Sequence, residues 1–209
     1  RRMDPRGRRH RTSALTIADA EFFDSVRRSR RVLVVLFGGL GDIVHSIPAV
    51  RAIRAAFADG CVDVVVSTAF ADLVAAAVSA DHVWPHEQHK TGWSADNLRQ
   101  FWRLWRAGYD LCINLWGNNH SSVVALATGA RVRLVRRPYE TWKRGWRWCH
   151  THAGIYPHLQ EPMHRQWTKL LEQLGFKVEH GLSFRLDADR WLPEAVPREQ
   201  RRRYIHFSP

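Results

Sequence analysis

A chain of 209 residues is long enough for one full α/β domain and the start of another. Its 45% hydrophobic and 25% charged residues are ordinary for a folded globular protein, which excludes a chain too polar to form a core. The net charge of +12 is unevenly placed: residues 1–31 carry ten arginines against four acidic residues, and residues 131–147 carry seven basic residues against Glu140.

Residues 1–30, beginning RRMDPRGRRHRTS, read as a solvated, disordered basic tail. VLVVLF (32–37) is a continuous apolar, β-branched run, the pattern of a strand buried on both faces of a parallel sheet. After a glycine cluster, Ile43, Val44, Ile47, Val50, Ile53, Ala56 and Phe57 recur at helical spacing, with Pro48 in an early turn. VDVVVS (62–67) predicts a second buried strand and AFADLVAAAV a second helix. Ser94 caps an amphipathic helix, SADNLRQFWRLWRAGYD, in which Leu98, Phe101, Trp102 and Trp105 form the apolar stripe and Arg99, Arg103 and Arg106 face water. Gly108 ends it. LCINLW (111–116) predicts a third strand, SSVVALATG a small-residue helix, and VRLV (132–135) a fourth strand. Pro162 opens a helix that runs to Leu174 and stops at Gly175.

This alternation predicts an α/β fold, a Rossmann-like, doubly wound, mostly parallel sheet over residues 31–186. Residues 187–203 have the proline and charge content of an inter-domain linker. Residues 204–209, YIHFSP, read as the first strand of a C-terminal domain absent from this chain. Ligands on such sheets bind beyond the carboxyl ends of the strands. The GGLGD loop, the WGNNH loop and the RRPYETWKR segment all fall at that end.

The glycine loop does not fit nucleotide binding. After Gly39-Leu40-Gly41 comes Asp42, so the third glycine of a dinucleotide fingerprint is missing, and no acid follows the second strand. A carboxylate at a helix start also competes with phosphate for the same positive end. That end instead favours an ionised carboxylate able to take a proton from a hydroxyl, while Gly38, Gly39 and Gly41 let a substrate approach the backbone. The bland alternative is a plain N-cap aspartate. His45, three residues on, lies on the same helix face and is placed to orient the acid or a substrate.

The run LFGGLGDIVHSIPAVRAIR resembles the N-terminal signature of the ADP-heptose:lipopolysaccharide heptosyltransferases, strongest at Leu40-Gly41-Asp42 and Pro48-Ala49. GYDLCINLWGNNHSSVVALATGARVRL and EPMHRQWTKLLEQLGF are similar to later parts of the family's N-terminal domain. Where family members often carry serine before L-G-D, this chain has Gly38 and Gly39. The resemblance implies the N-terminal half of a GT-B type glycosyltransferase, with a nucleotide-sugar domain beyond it. It implies inverting transfer of heptose from ADP-heptose to the lipopolysaccharide inner core, with no metal and no cofactor, and Asp42 as general base. Acceptor contacts fall on Gly38, Gly39, Gly41, His45 and Asn118 and on the basic cluster Arg136, Arg137, Lys143 and Arg144, since arginine suits anionic groups. Donor contacts fall mostly in the missing domain, with Ser208 a candidate here. The partners expected are an anionic glycolipid acceptor, a nucleotide-sugar donor and the surface of the inner membrane; nucleic acid is not expected.

Other signals are weaker. No apolar run approaches a membrane span and no apolar signal core follows the basic start, so the sequence reads as cytoplasmic, with peripheral association at the cytoplasmic face of the inner membrane. Cys61, Cys112 and Cys149 form no CxxC pair, as in a reducing compartment. Cys149, His150, His152, His158 and His164 lack any recognised zinc spacing. Trp142, Trp146 and Trp148 suit sugar stacking, a membrane surface or packing equally. A basic nucleic-acid-binding module lacks a supporting motif. A related glycosyltransferase acting on a protein or another polysaccharide is the closer alternative.

Overall fold

A computed structural model describes residues 20–87, 94–137, 148–155 and 163–178. Within them, β1 (Arg31–Leu36), β2 (Cys61–Ser67), β3 (His82–His86), β4 (Leu111–Asn114), β5 (Val132–Arg137) and β6 (His152–Ile155) form one sheet in the order β3-β2-β1-β4-β5-β6. Every neighbouring pair is parallel. The helices are α1 (Ala20–Arg28), α2 (Leu40–Ala56), α3 (Ala71–Ala77), α4 (Ala95–Arg106), α5 (Asn119–Ala127) and α6 (Met163–Gln173). The predicted doubly wound α/β fold is present. The chain winds outward from β1 to β3, returns to place β4 beside β1, and winds outward the other way. That reversal leaves a crevice beyond the carboxyl ends of β1 and β4.

The alternation of a strand builds both halves of the core. Val32, Val34 and Leu36 point to one face and meet Ile43, Ile47, Val50 and Ile53 of α2 and Trp167, Leu170 and Leu171 of α6. Leu33, Val35 and Phe37 point to the other, against Leu104 of α4 and Val124 and Ala125 of α5. Asp63 interrupts the apolar run of β2 and is buried, but the Tyr109 hydroxyl donates to it at 2.5 Å. Trp84 Nε1 in turn donates to that hydroxyl at 3.0 Å, so the buried polar chain is satisfied.

Four expectations are corrected. Ala20–Arg28, assigned to the tail, is helical, with Phe22 and Val26 buried in the core. Strands β3 and β6 were not foreseen: both are edge strands, where one apolar face suffices, and β3 carries Pro85, which an edge tolerates. The strand from Leu111 stops at Asn114, not Trp116, because the Asn114 side chain closes a turn there. Helix α4 is capped by Ser94 as expected, yet it buries Asn97 and Leu104, while Leu98, Trp102 and Trp105 point outward. Its sequence offers two apolar arcs, and the smaller one faces the sheet. Leaving each large outward side chain in water forgoes about 1.5–3 kcal/mol relative to burial. Gly108 and Gly175 adopt the positive φ expected just past helix ends. The expected linker and final strand, 187–209, lie outside the described residues.

Candidate functional site

The crevice between β1 and β4 is built from two loops. In the first, Gly39 sits at the N-cap of α2 in extended backbone, and its N–H donates to Asp42 Oδ2 at 2.9 Å. Asp42 is therefore the third helical residue reaching back, not the N-cap itself. Its Oδ1 is left with no partner among the described residues. Asp42 is half-buried and shares a small pocket with Phe37, Ser46, Leu115, Trp116 and Trp167.

Gly38 is set by close approach. A Cβ there would lie 2.7 Å from Asp42 Cβ, 2.9 Å from Asp42 Oδ2 and 3.0 Å from Trp116 Cη2. None of Gly38, Gly39 and Gly41 has a positive φ. A Cβ on Gly41 would meet nothing within 4 Å, so Gly41 itself borders open space.

The second loop is shaped by Asn114, fully buried at the end of β4. Its Oδ1 accepts from the N–H groups of Trp116 (3.1 Å) and Gly117 (3.0 Å), and its Nδ2 donates to Ser121 Oγ (3.0 Å) and His150 Nε2 (3.1 Å). Gly117, at φ 75°, completes the turn where a side chain would be strained. Trp167 Nε1 donates to Leu115 O at 3.0 Å and ties α6 to the same loop. The outcome is an indole, Trp116, held beside Gly38 and Asp42. The sequence reading passed over Trp116 as a strand residue; an aromatic directly before a turn glycine at a strand's carboxyl end was the available signal.

A second unforeseen group lines the same end of the sheet. His86, buried at the end of β3, stacks on Phe37 with ring centroids 5.3 Å apart. Gln100 Nε2 donates to Pro85 O, so its oxygen faces His86 Nδ1. Nδ1 then carries a proton toward that oxygen, and His86 Nε2 shares a hydrogen bond with His120 Nε2 at 2.6 Å.

Gly38, Gly39 and Asp42 are thus brought together, with Gly41 on the open surface. His45 lies one turn along α2, half-buried. Asn118 is exposed, and its Oδ1 accepts from Ser121 N at 2.7 Å, which caps α5. Arg136 and Arg137 are the last residues of β5, at the sheet end that holds the crevice. Lys143, Arg144 and Ser208 lie outside the described residues. His150 and His152, weighed above as metal-ligand residues, bond Asn114 and stack at 4.1 Å on Phe22, respectively. The thiols are not poised for chemistry: burial pushes Cys112 up to about 12, and burial with the Asp63 carboxylate pushes Cys61 up to about 11.

Among solved structures, a glycosyltransferase family 9 protein from Veillonella parvula superposes with a TM-score of 0.58 at 19% identity, over 74% of this chain and 43% of that one. The heptosyltransferase WaaC of E. coli, solved with ADP and with ADP-2-deoxy-2-fluoro heptose, superposes with a TM-score of 0.59 at 19% identity, over 72% of this chain. This chain shares the Rossmann-like α/β fold of those structures. It spans about half the length of those structures or less. An exopolyphosphatase-related protein from Bacteroides fragilis also superposes on this chain, with a TM-score of 0.52 at 16% identity, over 78% of this chain and 44% of that one. Fold alone therefore does not name a reaction. No protein-family model and no curated protein matches the chain.

Proposed function

We propose that this chain is the acceptor-binding, base-bearing half of an inverting glycosyltransferase that moves heptose from ADP-heptose to the inner core of lipopolysaccharide. The observation that carries the reading is the placement of Asp42. Its carboxylate stands on the first turn of α2, at the reversal point of the sheet, with one oxygen fixed by the Gly39 N–H and the other unengaged among the described residues. The likeness in fold to heptosyltransferases supports the same reading.

The chemistry follows from that geometry. The unengaged oxygen of Asp42 takes the proton of an acceptor hydroxyl as that oxygen bonds to the anomeric carbon of the donor. The bond from that carbon to the diphosphate breaks on the opposite side, and ADP leaves with the electron pair, which inverts the centre. One carboxylate suffices, because ADP leaves without the general acid a glycosidase needs. Positioned base catalysis of this kind contributes about 10²- to 10⁴-fold. Trp116 stands beside Gly38 and Asp42, and an indole face suits the C–H surface of a sugar. Arg136 and Arg137 end β5 on the same side and suit the carboxylates and phosphates of an inner-core acceptor. The donor site lies in sequence outside these 209 residues in this reading.

The test is a transfer assay with the full-length protein, ADP-heptose and a heptose-free inner-core acceptor, read by mass spectrometry. A product heavier by one heptose, with inverted linkage, is expected. Transfer from another nucleotide sugar but not from ADP-heptose would overturn the donor assignment. In the same assay, Arg136→Glu with Arg137→Glu should raise the acceptor KM at least tenfold and leave ADP-heptose affinity unchanged. An unchanged acceptor KM would remove the basic cluster from the site.

A further inference from the structure

The outward face of α4 has no role in the crevice chemistry. Leu98, Trp102 and Trp105 are 56%, 54% and 62% exposed, and Leu126 of the adjoining α5 is 46% exposed. Side chains of this size are seldom left in water together without a partner. The Trp105 indole is braced against Gly129, where a Cβ would come within 2.7 Å of the ring, so it is held outward rather than folded away. Arg99, Arg103 and Arg106 run beside the apolar stripe on the same helix and are all exposed. The Arg106 guanidinium lies over the Trp102 ring, 4.7 Å from its centroid. The one acid on α4, Asp96, is paired with Arg99 at 2.6 Å, so the face stays positive.

We propose that this face of α4 docks on an anionic lipid bilayer. An apolar stripe with tryptophans flanked by arginines on one helix is the arrangement that lies in the plane of a membrane interface. The rings sit at headgroup depth while the guanidinium groups reach the lipid phosphates. A second copy of the chain fits the face poorly, because a two-fold contact would set arginine against arginine. Among the described residues no helix is long and apolar enough to cross a membrane, so the contact is peripheral. The helix runs antiparallel to the strands, so its Leu98 end lies toward the carboxyl ends of the strands, where the Asp42 crevice opens. A lipid-anchored molecule would be met from that side. The inference does not depend on the transfer chemistry, and its test uses no glycosyl donor.

The test is flotation of the 209-residue chain with vesicles of phosphatidylcholine containing about 30% phosphatidylglycerol, against phosphatidylcholine alone. The ten arginines of residues 1–31 add an attraction of their own to anionic vesicles, so the variants change α4 only. Trp102→Ala with Trp105→Ala leaves the charge intact and should weaken partitioning by roughly tenfold or more. Arg99→Gln, Arg103→Gln and Arg106→Gln together should weaken it by about a hundredfold, from about fivefold per arginine. Unchanged melting temperatures would show that both variants remain folded, as exposed positions predict; a variant that melts lower is replaced by Trp102→Ser alone, which should still weaken partitioning severalfold. Binding by the tryptophan variant equal to that of the parent would overturn the proposal and assign vesicle binding to the tail. Absence of vesicle binding, or a dimer that the tryptophan variant dissolves and that binds no vesicles, would overturn it in favour of a protein contact.

Discussion

Gly38 offers a sharp test of the crevice geometry. In Gly38→Ala the added Cβ is fixed by the backbone and cannot rotate away from Asp42 Cβ at 2.7 Å or Trp116 Cη2 at 3.0 Å. Real Cβ atoms do not approach carbon at 2.7 Å, so α2 or the Trp116 loop must shift. Overpacking of this kind costs about 1–3 kcal/mol. Replacing glycine by alanine returns about 0.4–1 kcal/mol through the unfolded chain. The net expectation is destabilisation by up to about 2.6 kcal/mol, which for a domain of this size lowers Tm by up to about 10 °C. Gly41→Ala is the matched control: it sits two residues into the same helix, has an ordinary φ and meets nothing within 4 Å. It should be neutral or stabilising by up to about 1 kcal/mol. Paired thermal melts by circular dichroism read the difference. Equal Tm values for the two variants would refute the packing of Gly38 against Asp42 and Trp116.

Two further outcomes follow from the buried groups. Asn114→Ala removes the acceptor for two backbone N–H groups and the donor to Ser121 and His150, and should lower stability by about 2–4 kcal/mol in denaturant melts; a change under 0.5 kcal/mol would mean that the Trp116 loop holds itself. Cys112 titrates at 9.0 when unfolded and at about 12 when folded, because burial disfavours the thiolate. The folded state keeps its proton where the unfolded state loses it, so the stability is fully present below pH 9 and falls as pH rises from 9 toward 12, by up to about 1.4 kcal/mol per unit. Cys61 and Tyr109, also raised by burial, add to the decline, so Cys112→Ala should make it shallower without removing it; an unchanged slope in melts between pH 9 and 11 would show that Cys112 does not contribute.

The fold was legible because β1, β2 and β4 are largely apolar and buried on both faces, with Asp63 the one charge inside β2, and because glycine and serine mark the ends and starts of the helices between them. The edge strands β3 and β6 were not, since half-exposed strands such as HVWPH and HAGI carry neither a run nor a clean alternation. The helical period of α4 was legible, but its facing was not. Periodicity locates an apolar arc without saying whether the sheet or something outside the chain covers it. At the candidate site, Asp42 was visible because a carboxylate is out of place in a phosphate-binding loop. Trp116 and the His86–His120 pair were not, since both depend on which strand ends the topology sets side by side.

The central claim is that Asp42 removes the acceptor proton. Steady-state transfer by the full-length protein carrying Asp42→Asn tests it most directly. The account predicts a kcat lowered by about 10²- to 10⁴-fold, acceptor and donor affinities within a few-fold of the parent, and a Tm within a few degrees, since the amide oxygen still accepts from the Gly39 N–H. A kcat within tenfold of the parent would contradict it and leave Asp42 as a helix-start residue.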